Sequence, residues 1–175
     1  YDAVSGKLGL EYRPTDDTLL YGNISRGFKS GGFFGGFATN NAQLAPFDQE
    51  TITAYEAGFK SEWPDSNLRL NGSAFFYDRQ DVQANGLDTS GAVNIARLTN
   101  IGDAETKGAE LETIWAPTNI FSLQAALAYV TTEIVSSDKV TSALFNSTTT
   151  ASFEGARLPN QPELSANLTA KLEDN

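Results

Sequence analysis

Cysteine and histidine are both absent from this 175-residue sequence. Without cysteine, the chain has no disulfide framework and no thiolate chemistry. Without histidine, it lacks the commonest general base and the commonest metal ligand, and serine–histidine–aspartate catalysis is excluded. The remaining residues form no recognisable catalytic constellation. We therefore expect a protein that is not an enzyme, with no cofactor and no metal site.

Positive charge is also scarce, with 12 lysines and arginines against 22 aspartates and glutamates and a net charge of −10. Because phosphate backbones attract basic patches, we expect no nucleic-acid partner. No run of about 20 apolar residues is present, which excludes a transmembrane helix. The mean hydropathy of −0.30 does not exclude a membrane β-barrel, whose strands average a polar and an apolar face.

Alternation of apolar and polar residues with a period of two dominates what is present. In the clearest segment, residues 120–132, one face carries Phe121, Leu123, Ala125, Leu127 and Tyr129. A helix is the alternative for this segment because alanine and leucine are helix formers. We predict seven strands, at about 4–13, 18–28, 50–63, 68–82, 92–116, 119–134 and 161–173. A bend near Gly102 and a bulge at residues 75–77 are options within them.

The connections between these strands alternate in length. Residues 14–17, 64–67 and 116–118 form short turns, whereas residues 29–49, 83–91 and 135–160 form longer connections. Antiparallel neighbours joined in this way have their tight turns at one end and their long loops at the other. The sequence therefore predicts an all-β, antiparallel up-and-down meander.

An aromatic residue precedes the proline in each short turn. These residues are Tyr12, Trp63 and Trp115. Tyrosine and tryptophan favour the level where hydrocarbon meets head groups, so three of them at one level predict a membrane-interface girdle. The alternative is that they plug the end of a soluble sandwich core. Glu110 and Glu112 share a strand face; they could act as an acid–base pair, but a polar, water-facing barrel interior is the preferred interpretation.

Residues 25–37, SRGFKSGGFFGGF, are unusually rich in glycine and phenylalanine. Lys29 follows Phe28 rather than glycine, so the spacing is not that of a phosphate-binding loop. Together with LEYRPTDDTLLYGNI, this stretch resembles the barrel of TonB-dependent outer-membrane receptors. FDQETITAYEAGFKSEWPDSNLRLNGSAFFYDRQDVQ and NIGDAETKGAELETIWAPTNIFSLQAALAYV resemble the same family in the same order.

The resemblance implies a segment of a large transmembrane β-barrel of roughly 22 strands with a plugged lumen. Residues 1–175 would be a single region of that barrel, an internal fragment without the plug domain or the energy-coupling box. The implied function is uptake of a scarce nutrient such as an iron–siderophore across the bacterial outer membrane. The implied partners are outer-membrane lipid, the small-molecule ligand, and the TonB complex acting through the missing plug.

Under this resemblance, the glycine-rich stretch lies at the extracellular rim. Lys29, Phe33, Phe34 and Phe37 are then candidate ligand-binding residues, with packing of the loop base as the preferred role of the phenylalanines. Leu123 and Leu127 are expected to face lipid and Gln124 the lumen. The alternative function is a soluble all-β adhesion or carbohydrate-binding module.

Overall fold

A computed structural model describes residues 3–33, 35–36, 38–88, 92–137 and 152–173 of the chain. Phe34, Phe37 and most of the predicted connection 135–160 lie outside the described residues. Within these ranges, no helix has the length and apolarity needed to cross a membrane.

The main element is a seven-stranded antiparallel sheet in the order β1-β2-β5-β6-β9-β10-β11. Its strands are β1 (Gly6–Thr15), β2 (Thr18–Lys29), β5 (Glu50–Trp63), β6 (Leu68–Gln80), β9 (Asp103–Thr118), β10 (Phe121–Ser136) and β11 (Leu164–Leu172). Each of these strands pairs with the next of the seven along the chain. This arrangement confirms the predicted all-β, up-and-down meander, including a strand rather than a helix at residues 121–136.

Two small sheets lie in the connections. One pairs β3 (Gly32–Phe33) with β4 (Pro46–Phe47), and the other pairs β7 (Gln83–Asp88) with β8 (Ile95–Asn100). Short 3-10 helices span Asn41–Leu44 and Pro64–Ser66. The first of these helices lies within the long connection between β2 and β5, and the second forms the tight turn between β5 and β6.

The single strand predicted over residues 92–116 is interrupted, and the interruption lies at the optional bend near Gly102. Gly102 divides it at a φ of +111°, a conformation that side chains rarely adopt, and a Cβ there would collide with the Ser136 carbonyl. Before this break, β8 pairs with β7 as a hairpin; after it, β9 enters the main sheet. The predicted connection 83–91 is therefore mostly a strand.

The option of a bulge at residues 75–77 is also wrong, because β6 keeps an unbroken register with both neighbours from Leu68 to Arg79. Phe75 and Phe76 point to opposite faces, and Phe75 stacks on Tyr77 with 4.8 Å between ring centroids. The run of three aromatics is therefore accommodated by alternation, without an inserted residue.

A small apolar core lies at one end of the main sheet. It comprises Val82, Ala84, Ile101, Ala104, Ile134 and Phe153, with Ala156 and Leu158 packed against it. Elsewhere the sheet stands as a single layer, so its large apolar side chains stay partly exposed. The end that holds this core is called the loop end below, and the connection between β2 and β5 and the β7–β8 hairpin also lie there. The opposite end is called the turn end and carries the tight turns at residues 16–17, 64–67 and 119–120.

Candidate functional site

The main sheet has one apolar and one polar face. Residues paired across neighbouring strands share a face, so the register assigns each side chain. A register row on the apolar face comprises Tyr12, Leu20, Phe59, Gly72, Leu111, Leu127 and Ala166. A row on the polar face comprises Leu19, Lys60, Asn71, Glu112, Ala126 and Asn167.

The predicted girdle residues all lie on the apolar face. Trp63 and Trp115 both pair with Leu68, from either side, so these two tryptophans stand in one register row. Tyr12 pairs with Leu20, and Leu20 pairs with Phe59 on β5. Phe59 lies four residues before Trp63 on the same strand. The structure therefore brings the two tryptophans together at the turn end and places Tyr12 in a different row.

A second group of aromatic side chains, which the sequence reasoning missed, lies nearer the loop end of the same face. Tyr55 and Phe76 are cross-strand partners with ring centroids 6.1 Å apart, and Tyr129 pairs with Ala109 on the adjoining strand pair. The missed signal is the spacing between Tyr55 and Trp63, eight residues or roughly 27 Å along one strand face. Beyond this group, charges begin: Lys107 lies 5.6 Å from the Phe76 ring centroid and 2.8 Å from Glu105.

The polar face carries a shallow depression of about 240 Å³ near the middle of the sheet. Glu56 accepts a hydrogen bond of 2.8 Å from the Tyr21 hydroxyl there. Glu110 and Glu112, the paired carboxylates of the sequence, line the depression and are exposed. The depression is therefore open and acidic, whereas the same face is buried at the loop end, at Thr106 and Thr132.

Aromatic rings cover glycines at three consecutive strand pairings. Tyr21 lies opposite Gly58 and Phe75 opposite Gly108 on the polar face, whereas Phe59 lies opposite Gly72 on the apolar face. A Cβ on Gly58 would stand 2.7 Å from the Tyr21 ring. Such ring-over-glycine contacts cover the backbone and fix the register of adjacent strands.

A buried charge lies at the loop end of the sheet. The Glu50 side chain, on a residue only 7% exposed, accepts bonds of 3.0 Å and 2.5 Å from Nε and Nη2 of Arg79. Its second oxygen accepts a bond of 2.9 Å from the Gln83 backbone amide. These bonds compensate the cost of burying the carboxylate and join β5, β6 and β7 at one point.

Of the predicted rim residues, the structure describes Lys29 and Phe33. Lys29 ends β2 with an exposed side chain, in register with Glu50. Phe33 pairs with Pro46 and is 75% exposed, so the expectation that it packs the loop base is wrong. The Phe47 ring lies over its strand partner Gly32 instead, 3.3 Å from where a Cβ on that glycine would stand.

Comparisons with known proteins agree with this architecture. A family model described as TonB dependent receptor-like, beta-barrel, matches residues 1–175. The pesticin receptor of Yersinia enterocolitica is 33% identical over 114 residues, which are 65% of this chain and 16% of that protein. The metal-pseudopaline receptor CntO of Pseudomonas aeruginosa is 27% identical over 171 residues, 98% of this chain and 21% of that protein.

The crystal structure of the ferric yersiniabactin uptake receptor FyuA from Yersinia pestis superimposes with a TM-score of 0.69 at 25% identity. The match covers 95% of this chain and 22% of that one. The chain therefore spans about a fifth of the length of the relatives it matches. Its full-length match to the family model, together with its two-faced antiparallel sheet, shows that it belongs to the β-barrel domain of the TonB-dependent receptors.

Proposed function

We propose that this chain forms part of the barrel wall of a bacterial outer-membrane transporter that takes up a metal chelate of the siderophore type. The names of its relatives support this substrate class, since they include a ferric yersiniabactin uptake receptor and a metal-pseudopaline receptor. Transport rather than catalysis is proposed, and residues 1–175 are treated as one region of a longer protein.

The observation that carries the proposal is the division of the sheet into two faces. The apolar face exposes leucines and aromatic residues that no other described part of the chain covers, among them Leu10, Leu127 and Leu168. Lipid would cover this face, and burying it would otherwise need a second sheet. The opposite face, with Glu56, Glu110 and Glu112, would line the aqueous lumen.

The apolar face also supports a placement in the membrane. Between Trp115 and Lys107 on β9, the apolar face carries Thr113, Leu111 and Ala109 without a charge. Eight residues of a strand tilted by about 45° span roughly 20 Å, close to the apolar band of an outer-membrane barrel. We propose that Trp63 and Trp115 form the periplasmic girdle, and that Tyr55, Phe76 and Tyr129 mark the outer boundary. Tyr12 is proposed as a further girdle residue although it lies in a different register row, because tilted barrel strands incline each row to the membrane plane.

This placement puts the loop end outside the cell. Lys29 would there offer a cation to an anionic chelate, and Phe33 an exposed apolar contact. Phe34 and Phe37, outside the described residues, remain proposed members of the same rim. Energy would come from the TonB complex, acting through a plug domain supplied by the rest of the receptor.

Uptake of radioactive iron tests the proposal directly. Cells that lack the receptor should gain accumulation of iron-55 supplied as a siderophore when the full-length gene is restored. Because the energy would come from the inner membrane, collapse of the proton gradient should abolish accumulation but leave binding at the cell surface. If the full-length protein were water-soluble without detergent, or if no chelate bound to it, the proposal would be wrong.

A further inference from the structure

We propose that the long connection between β2 and β5 and the β7–β8 hairpin move as one body at the loop end. The connection, residues 30–49, is called the rim loop; the proposal concerns the described residues of the rim loop and the hairpin, which leave out residues 34, 37 and 89–91. Side chains from the hairpin and the rim loop join the two at three levels: the base, the middle and the tip.

Two side chains at the base of the hairpin form hydrogen bonds with the two ends of the rim loop. Gln83 and Asn100 are the first pair of the β7–β8 register. The Gln83 side-chain amide donates to the carbonyl of Ser30, where the loop leaves β2, at 3.0 Å. It also donates to the carbonyl of Asp48, just before the loop enters β5, at 2.9 Å.

The Asn100 side chain pairs with both backbone groups of Asp48, as a neighbouring strand would. Its Oδ1 atom accepts a bond of 2.7 Å from the Asp48 backbone amide, and its Nδ2 atom donates to the Asp48 carbonyl at 3.1 Å. The same Nδ2 atom donates to the Asp81 carbonyl at 2.7 Å. The Asn100 side chain on β8 thus contacts both the end of the rim loop and Asp81, just before β7.

Contacts continue toward the tip of the rim loop. In the middle, Arg97 of β8 donates to the Ala45 carbonyl at 3.3 Å. Near the tip, Gln43 of the 3-10 helix is fully buried and donates to the Val93 carbonyl at 3.0 Å. Gln43 also accepts bonds of 2.7 Å and 2.8 Å from the amide and hydroxyl of Thr39, which hold its orientation.

Separating the two segments would break the bonds of Gln43 and Gln83, whose side chains are buried, as well as the exposed bonds of Asn100. A hydrogen bond that water replaces costs little, but a displaced group that stays buried loses its partner altogether. Partial opening is therefore the unfavourable state, and joint movement keeps these bonds intact. If the proposed transport function holds, a ligand that moves the rim loop must also move the hairpin.

Hydrogen exchange of the full-length receptor in detergent micelles, without ligand, tests the coupling. Asn100→Leu on the hairpin removes the amide contacts to the loop at similar side-chain size, and Gln43→Met on the loop removes the contact to the hairpin. We expect Asn100→Leu to speed exchange in residues 38–49 and Gln43→Met to speed exchange in residues 92–100. The expected rise is roughly fivefold to thirtyfold for Gln43→Met, the range for loss of one or two net hydrogen bonds, and smaller for Asn100→Leu, because water can replace its exposed bonds.

Asn85→Leu is the matched control, because Asn85 is an exposed amide residue on the same hairpin. This control should leave exchange in residues 38–49 unchanged, and all three variants should keep the slow exchange of β5 and β6. Faster exchange confined to the segment that carries the substitution, or no change in either segment, would overturn the inference. Because no ligand is present, that result would leave the transport proposal standing.

Discussion

The ring of Phe59 lies directly across the strand pair from Gly72, and a Cβ on residue 72 would stand 2.5 Å from its Cε1 atom. The pair belongs to the apolar face, where lipid is proposed to cover the sheet. The glycine therefore leaves room that the ring fills, and the ring covers backbone that the glycine would expose.

Replacing this glycine is expected to destabilise the barrel. Gly72→Ala forces the Phe59 ring out of its position and should cost about 1–3 kcal/mol, the usual range for overpacking. Gly22→Ala is the control on the same face, because a Cβ there meets its nearest neighbour at 3.8 Å. Denaturant unfolding of the full-length receptor in micelles measures both. Equal costs at the two positions would show that the ring does not depend on the glycine.

The ion pair between Glu50 and Arg79 should be worth more to stability than a surface pair. Arg79→Leu leaves the buried Glu50 carboxylate without its cation, which costs about 3–5 kcal/mol in buried pairs. Arg69 and Glu62 form the control: their charges are 2.7 Å apart, but both side chains are about half exposed. Arg69→Leu should cost roughly 0–1 kcal/mol.

A double variant checks the cause of this difference. Adding Glu50→Gln to Arg79→Leu removes the uncompensated charge, while the amide oxygen can still accept from Gln83. Unfolding measurements should therefore find the double variant more stable than Arg79→Leu alone. A further loss of stability in the double variant would contradict the explanation by buried charge.

Introducing a charge on the apolar face of β10 should destabilise the barrel more than introducing one on the polar face. Leu127 lies on the apolar face, in register with Leu111, whereas Gln124 lies on the polar face opposite Ile114. Leu127→Arg should cost about 2–4 kcal/mol if that face meets the middle of the bilayer, and Gln124→Arg much less. Leu123→Arg, closer to the Trp115 level, should fall between them. Refolding of the full-length receptor into lipid vesicles measures the series; equal costs at Leu123 and Leu127 would argue against a lipid midplane.

Labelling of intact cells tests which end of the sheet faces outside. A cysteine at Val93, an exposed position beside the tip of the rim loop, should react with a membrane-impermeant maleimide. A cysteine at Ser66, in the 3-10 turn at the opposite end, should react only after the outer membrane is permeabilised. The reverse pattern would invert the proposed topology.

Ligand contact at the rim is tested by two substitutions that leave the sheet intact. Lys29→Gln and Phe33→Ala should weaken chelate binding roughly fivefold to thirtyfold if each loses one or two kcal/mol of interaction. Both side chains are exposed, so insertion of the barrel should be unchanged. Leu44→Ala, another exposed apolar residue of the rim loop, is the control in the same binding assay. Unchanged affinity in both variants would remove these residues from the binding site.

The main sheet was predictable because its signal is local. Period-two alternation assigned Leu127 and Gln124 to opposite faces, and the turn residues located the ends of β5 and β6. The contacts between the rim loop and the β7–β8 hairpin were not predictable, because they join residues that are far apart in sequence. Asp48 and Asn100, for example, are 52 positions apart. The ring-over-glycine pairs depend on cross-strand register, which a single strand does not encode.

The small apolar core at the loop end gives the molecule two different sources of stability. Val82, Ile101 and Ile134 leave water when this end folds, so their contribution weakens on cooling, as water-driven burial does. In the proposed setting, local opening of the loop end leaves the apolar face of the wall in hydrocarbon, so cooling does not weaken the wall in the same step. Low temperature would then loosen the outer end of the receptor while the wall beneath it remains intact, giving the two parts separate thermal limits.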